Sequence, residues 1–495
     1  MTTTFGSRAA GAATLGRLIG RGFGFLAQLV LARLLAPEAF GLFAIGWTLL
    51  RLSAVAGHLG LDSGVIRFAS AATRQNDSRL RGIIATAVLG GVLSGLLLAA
   101  ALILAAPWIA TSLFREPELA WVLRGLALAF PLANASRVLA AASTISGKML
   151  CSSISEDTLQ PTAQIALFLL MYRLGFGLQG AVAATVMSYA ISALACFACV
   201  RRFLPQVFAA GGVTWPRTGR LLRFSLTAML GGALGALGLW GDRLLVGYFG
   251  TTVDAGIYQS VSLVTMVSVM VISGLKTVVA PWIAALHSQG ENQEATIALQ
   301  RVSRWGLYVS LPVLLVTVIF PSEVLNLLFG AAYASGASAL VWLAIGQLFY
   351  VCLGGADQFF LMTGRQKDWL AISGFTLVVI VVLDMVMIPR LGIVGAAIVS
   401  CATTALVTVL GIARLREVFG FWLVGRQHLA VALAALIASV PAALLARASA
   451  IPDAIRLALG GVLIAAVFGV ALWAIGLHPD DRRAIKRLLA RGDAA

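Results

Sequence analysis

Apolar residues recur along this chain in runs long enough to cross a lipid bilayer, and short polar stretches separate them. A helix needs about 20 apolar residues to span the hydrocarbon core. On this criterion the 495 residues hold about 14 predicted spans. Their limits are 12–34, 40–61, 82–106, 119–143, 158–174, 179–200, 222–245, 255–279, 302–320, 336–361, 369–388, 392–413, 428–446 and 456–477. We therefore predict an all-α, polytopic membrane protein.

The composition excludes a soluble protein. Residues are 60% hydrophobic and 11% charged, with a mean hydropathy of +0.95, more apolar surface than a soluble domain can bury. The net charge of +16 does not indicate nucleic acid, because the basic residues lie mostly in short loops between spans. With the amino terminus in the cytoplasm, basic residues on that side outnumber those outside by about three to one. This predicts two cytoplasmic termini and a multi-pass protein.

The sequence repeats itself at an offset of 215 to 217 residues. Four pairs of motifs carry the repeat: 39–43 with 254–258, 113–114 with 328–329, 146–148 with 363–365, and 173–181 with 390–396. Six predicted spans lie within one repeat, so the two copies have the same orientation in the membrane. We predict two six-helix lobes, residues 1–210 and 215–420, around a central cavity. Two additional spans and a short basic tail form residues 425–495.

Three arginines interrupt the first two predicted spans. Arg17 and Arg21 are four residues apart and share one helix face, and Arg51 lies deep in the second span. Three buried guanidinium groups cost on the order of 10 kcal/mol unless they face water or an anion. The pattern predicts a cationic wall lining a wet cavity, and the repeat places Met266 and Ala236 where the first copy has Arg51 and Arg21. Alternatively, some of these side chains extend from helix ends to lipid phosphates.

Other charged residues inside predicted spans are further candidates. Arg124 and Arg137 lie about 140° apart around one helix, and each could instead anchor the helix at an interface. Asp357 is the most deeply placed acidic residue and the first candidate for coupling to an ion, with Asp242 as a second. Asp242 is also explained by a local pair with Arg243.

Motifs of common enzymes are absent from the sequence. There is no Walker A loop, no HExxH, no GxSxG and no pair of CxxC motifs, so we expect no catalytic residues, no bound metal and no cofactor. Coupling to Na⁺ or H⁺ remains open. No predicted outer loop exceeds about fifteen residues, which leaves no room for an external catalytic domain.

Several motifs resemble one family of membrane transporters. The run Leu31–Phe43 resembles the first-loop signature of Wzx-type polysaccharide flippases. Asp242–Gly250 with Ala255–Tyr258 is similar to the family's seventh span and following loop, and the Arg-Leu-Gly motifs at 173 and 390 also fit. The resemblance covers nearly the whole chain. Its superfamily includes multidrug exporters of the MATE type and lipid II flippases, which have two lobes.

The resemblance implies a transporter and not an enzyme. Such a flippase moves a polyprenyl-diphosphate-linked oligosaccharide to the outer leaflet of the bacterial inner membrane by alternating access, for exopolysaccharide, capsule or O-antigen synthesis. Partners would be membrane lipids, a polymerase and glycosyltransferases. By resemblance, Arg17, Arg21 and Arg51 would contact the diphosphate. Two alternatives stay open: a multidrug exporter, which would favour an acidic, aromatic-lined cavity, and an integral-membrane glycan enzyme.

Overall fold

The computed structural model describes residues 2–74, 79–145, 153–208, 218–448, 451–475 and 481–482, and the regular structure in these ranges is helical throughout. A π-helical turn, Ser153–Leu159, precedes the seventh α-helix. The helices are α1 (Thr2–Leu34), α2 (Pro37–Gly57), α3 (Leu61–Arg74), α4 (Arg79–Trp108), α5 (Leu119–Ala127), α6 (Ala129–Thr144), α7 (Gln160–Arg173), α8 (Gly177–Phe203), α9 (Thr218–Phe249), α10 (Thr252–Ser288), α11 (Asn292–Ile319), α12 (Pro321–Phe329), α13 (Ala337–Leu353), α14 (Ala356–Met362), α15 (Gln366–Phe419), α16 (Arg426–Ala446) and α17 (Asp453–Ile475).

The predicted class of an all-α polytopic membrane protein is confirmed. Within the described ranges, eleven helical stretches are long and apolar enough to cross a membrane. The 54 residues of α15 correspond to about 80 Å of helix and contain two predicted spans. They meet at Gly392, whose φ of 57° and ψ of −139° are not helical. The number of 14 spans and the division into lobes stay predictions, and the repeat motif at 146–148 lies outside the described residues.

Contacts divide the chain into two compact units. Unit 1 comprises residues 1–263 and 373–399. Part of its core lies between α3, α4, α6 and α8, where branched and small apolar side chains such as Val65, Ile84 and Val138 are fully or almost fully buried. This core packs α6, which carries Arg137, against α3, the helix that follows α2 and its Arg51.

Unit 2 comprises residues 264–372 and 400–495. In its core, Val351 of α13 packs with Ala434 of α16 and Phe468 of α17. Unit 2 also holds a buried carboxylate. Asp481 accepts hydrogen bonds from Arg304 Nε at 3.1 Å and from Trp305 Nε1 at 3.0 Å.

Gly41 of α2 and Gly256 of α10 occupy equivalent positions in the sequence repeat. In unit 1 each of them packs against the helix that carries the other. A Cβ on Gly41 of α2 would lie 1.7 Å from the carbonyl oxygen of Thr252, and a Cβ on Gly256 of α10 would lie 2.2 Å from that of Pro37. Pro37 and Thr252 are themselves separated by the repeat offset. The two helix starts therefore approach each other reciprocally, at positions where only glycine fits.

Candidate functional site

A polar cavity of about 300 Å³ lies among α2, α6, α8 and the π-helical turn before α7, all in unit 1. Residues from α2 face it at helical spacing, so that Arg51, Val55 and His58 lie along one side. The described residues that line it are Leu50, Arg51, Ala54, Val55, His58, Ala133, Asn134, Ser136, Arg137, Glu156, Asp157, Gln160, Tyr189 and Ser192.

Small residues and hydrogen bonds hold α2 close to its neighbours. A Cβ on Gly57 would lie 2.8 Å from Asn134 Nδ2, so α2 and α6 approach closely at this level. Ser94 Oγ of α4 donates to the carbonyl of Gly57, and Asn134 Nδ2 donates to that of Gly91 at 3.2 Å. The polar side chains between these helices are thereby satisfied, which keeps the wall of the cavity in one place.

A turn with two left-handed residues separates α2 from α3. Leu59 has a φ of 51° and Gly60 a φ of 65°. The turn directs the chain back so that Asp62, near the start of α3, lies beside His58, with 3.8 Å between His58 Nε2 and Asp62 Oδ2. An acidic group thus lies next to the arginine-bearing helix.

Arg51 is the cation of this cavity for which the described residues offer no ionic partner. Its side chain is exposed, and within the described ranges no hydrogen bond or ion pair involves it. Its guanidinium carbon lies 4.3 Å from the ring centre of Trp47 and 5.8 Å from that of Trp240. The N–H groups of Arg51 are therefore available to an anion in the cavity.

Arg137 faces the same cavity but is neutralised by acidic partners. Its Nε lies 3.4 Å from Asp62 Oδ2, and its Nη1 lies 3.5 Å from Glu156 Oε2. A ligand phosphate would have to compete with these carboxylates for its N–H groups. Arg51 and Arg137, predicted from different spans, thus face one cavity, and among the described residues only Arg137 has acidic partners.

Two other predicted arginines, Arg21 and Arg124, are not part of the described lining of this cavity. Arg124 lies on α5 and is exposed. Arg21 is exposed on α1, next to Gly20, where an added Cβ would lie 2.4 Å from Cβ of Asp157. The first helix therefore borders the cavity at Asp157, although Arg21 is not part of its lining. Arg17 also lies on α1, but its side chain is outside the described residues.

A second polar cluster lies among α9, α10 and α15 in unit 1. Tyr258 Oη donates to Asp242 Oδ2 at 2.7 Å, and Arg243 Nη1 lies 3.8 Å from Asp242 Oδ1. Asp384 is 1% exposed, and neither of its carboxylate oxygens has a hydrogen-bond donor among the described residues. The charges of Asp242 and Asp384 are close enough to interact. Two carboxylates in an apolar bundle, one without a donor, are suited to bind a cation or a proton.

Asp357, the first ion-coupling candidate from sequence, is paired within unit 2. Its Oδ1 lies 2.8 Å from Lys276 Nζ, which also donates to Tyr350 Oη at 3.0 Å. The lysine already supplies the positive charge that a coupling ion would bring.

Several functional candidates could not be identified from sequence. Asp62 and Glu156 fall at the edges of predicted spans, where acidic residues are common, and only the fold brings them to Arg137. Trp240 is one apolar residue among many in its span. Asp384 is an acidic residue near the end of a predicted span. The neighbouring sequence does not distinguish such a residue from one at the membrane interface.

Solved structures that share this fold are transporters. The lipid II flippase MurJ, in an inward closed conformation, has a TM-score of 0.75 and 12% identity, and the match covers 94% of this chain and 99% of that one. An inward-facing multidrug transporter of the MATE family and the MOP superfamily has a TM-score of 0.67 and 14% identity, with 82% and 97% covered. At these identities the likeness establishes the fold alone, which this chain shares with both of these transporters.

Sequence comparison then gives the family. The family described as "Polysaccharide biosynthesis protein" matches residues 30–338, more than half of the chain, and the chain belongs to it. A curated relative, "Probable low-salt glycan biosynthesis flippase Agl15" of Haloferax volcanii, is 24% identical over 191 residues, which are 38% of this chain. The match spans only 39% of that relative's length. The family prediction is confirmed, and it is a family of transporters and not of enzymes.

Proposed function

We propose that this protein is a flippase that moves a polyprenyl-diphosphate-linked oligosaccharide from the inner to the outer leaflet of a bacterial inner membrane. The observation that carries the proposal is the guanidinium of Arg51, exposed at a polar cavity and without an acidic partner among the described residues. A charged head group with sugars cannot cross hydrocarbon unaided, whereas its lipid tail never has to leave it. A cavity that receives only the head group meets both conditions.

Arginine suits the phosphates of such a head group. Its planar fork can donate two parallel N–H groups to phosphate oxygens, which an ammonium group cannot do. In this proposal Arg51 binds first, and Arg137 joins when a phosphate displaces Asp62 or Glu156. Arg17, Arg21 and Arg124 are proposed as further cationic contacts along the path of the head group.

The ion gradient that drives transport is proposed to act at Asp242 and Asp384. Entry of Na⁺ or H⁺ would compensate the charge of these two carboxylates, one of which has no donor among the described residues. Asp357 is the less favoured site, since Lys276 Nζ lies 2.8 Å from its carboxylate, whereas Asp384 has no such partner among the described residues. Transport would proceed by alternating access of two repeat-related lobes. The reciprocal approach of Gly41 and Gly256 supports that arrangement.

The location and partners follow from the same proposal. The basic residues of the loops support two cytoplasmic termini. The transported oligosaccharide would be a repeat unit for exopolysaccharide, capsule or O-antigen. Glycosyltransferases would then supply the substrate on the inner leaflet, and a polymerase would consume it outside.

A multidrug exporter of the same fold is the second candidate. Glu156, Asp157 and Tyr189 line the cavity, and acidic and aromatic groups are suited to cationic drugs. Glu156 is, however, already paired with Arg137, whereas Arg51 is unpaired among the described residues. Unchanged sensitivity to cationic drugs in a deletion strain would remove this candidate.

Deletion of the gene tests the proposed function directly. We expect lipid-linked oligosaccharide to accumulate on the cytoplasmic leaflet, and export to return with the wild-type protein. The variant Arg51→Ala should insert normally but not restore export, and Arg51→Lys should restore part of it. Normal export in the deletion strain would contradict the flippase function, whereas full activity of Arg51→Ala would remove Arg51 from the site.

A further inference from the structure

Two tryptophans from different helices contact the side chain of Arg51. Trp47 lies one turn before Arg51 on α2, is 6% exposed, and has its ring centre 4.3 Å from the guanidinium carbon. Trp240 belongs to α9, and its ring centre lies 5.8 Å from the same atom. The two indoles meet edge to face, 5.4 Å apart at an interplanar angle of 71°. Arg51 therefore lies where an aromatic pair joins α2 to α9.

Trp240 is itself held from the side of α9. The guanidinium carbon of Arg243 lies 4.3 Å from its ring centre, and Arg243 is anchored by a hydrogen bond of 2.6 Å from Nη1 to the carbonyl of Leu239. Arg243 is only 7% exposed, so this cation does not reach the cavity as a mobile group. The indole of Trp240 is thus fixed between an anchored arginine and the buried Trp47.

An aromatic contact of this kind leaves the hydrogen-bonding capacity of arginine unused. The ring attracts the cation through its negative face, whereas the five N–H groups of a guanidinium point outward in its plane. Arg51 has no hydrogen-bond acceptor among the described residues, so aromatic contacts are what hold its charged end. A lysine at this position would keep the charge but not the planar fork.

We propose that Trp47 and Trp240 form a clamp that positions the guanidinium of Arg51 with its N–H groups toward the cavity, as a preorganised site for one phosphate of the diphosphate head group. This inference rests on the proposed function. The clamp lowers the entropy lost when a long side chain binds a phosphate, because the side chain is already ordered. Trp47 and Trp240 are positioning residues, and of these three side chains only Arg51 contacts the phosphate.

Binding of farnesyl diphosphate to the purified full-length protein, measured by isothermal titration calorimetry, tests the clamp. Trp240→Leu should raise Kd about tenfold, which corresponds to the strength of a partly desolvated cation–aromatic contact. Trp240→Phe, which keeps an aromatic face, should stay within about threefold of wild type. In an Arg51→Ala background, Trp240→Leu should have no further effect, because the group that it positions is absent. Trp342→Leu, which removes an exposed tryptophan of unit 2, is the matched control.

The outcomes separate the clamp from the diphosphate site. If Arg51→Ala binds the probe as wild type does, the diphosphate site is wrong. If Arg51→Ala weakens binding but Trp240→Leu does not, or if Trp240→Leu weakens it equally with and without Arg51, the clamp alone is wrong. Should Trp240→Leu not yield folded protein, fluorinated tryptophan weakens the ring face without changing its shape. Affinity should then fall in the wild type and not in Arg51→Ala, and unchanged wild-type affinity would overturn the clamp.

Discussion

Arg51 and Arg137 face one cavity but differ in what surrounds their charge. Removal of Arg137 leaves Asp62 and Glu156 without the cation that lies between them, and a carboxylate that loses its partner is destabilising. No carboxylate among the described residues is paired with Arg51, so its removal leaves no acidic group without a partner. We expect Arg137→Ala to lower the melting temperature in detergent by several degrees, and Arg51→Ala to leave it nearly unchanged. Equal melting temperatures for the two variants would contradict the assigned pairing.

Replacement of Asp384 should make the protein more stable but impair its function. A carboxylate that is 1% exposed and lacks a donor among the described residues costs free energy in the ion-free protein. Asp384→Asn removes the group that would become charged, so it should raise the melting temperature in the absence of Na⁺ at alkaline pH. The same variant should abolish the dependence of transport on the ion gradient. A lower melting temperature, or transport that still follows the gradient, would count against an ion site there.

At the scale of the element, the crossing of α2 and α10 allows no side chain at its closest point. Gly41→Ala would place a Cβ 1.7 Å from the carbonyl oxygen of Thr252, a backbone atom that cannot move alone. Overpacking of this kind costs about 1–3 kcal/mol or more. We expect a clear loss of monodisperse protein in fluorescence-detected gel filtration. Gly238→Ala on α9 is the control, because nothing lies within 4 Å of its added Cβ; a yield as low as that of Gly41→Ala would contradict the argument.

Hydrophobic runs predicted most helices of this chain, but not where they break. The predicted span 119–143 is two helices, α5 and α6, with Leu128 between them. The predicted spans 369–388 and 392–413 are joined in α15, which continues through Pro389 to the break at Gly392. Hydropathy reports burial in lipid and carries little information on backbone continuity, which depends on tertiary packing.

The same limit applies to the site. The position of Arg51 within an apolar run marked it as a candidate, and the structure places it at a polar cavity. Its relation to Trp240 and the pairing of Arg137 with Asp62 were not predictable, because 189 and 75 residues separate these partners along the chain. A local pattern can identify a charge that needs a partner, whereas the identity of that partner depends on the fold.

At the scale of the whole molecule, transport of the lipid should depend on the protein, on Arg51 and on the ion gradient. A lipid with a diphosphate head group should cross the bilayer only when the protein is present and when Arg51 can bind it. We expect this crossing to be faster with an imposed Na⁺ or H⁺ gradient, because the ion shifts the balance between the states of an alternating-access transporter. A crossing rate that is the same with and without each imposed gradient would contradict ion coupling. It would not affect the proposed head-group site.

The most direct measurement uses purified protein in liposomes that contain fluorescently tagged lipid-linked oligosaccharide extracted from the deletion strain. A membrane-impermeant quencher then reports the fraction of tagged head groups on the outer leaflet over time. We expect wild-type protein to expose nearly all of the lipid to the quencher, and Arg51→Ala to leave the inner-leaflet fraction protected, as in protein-free liposomes. Full exposure with Arg51→Ala would contradict the role of Arg51 in binding the head group. Protection with the wild type would contradict the flippase function.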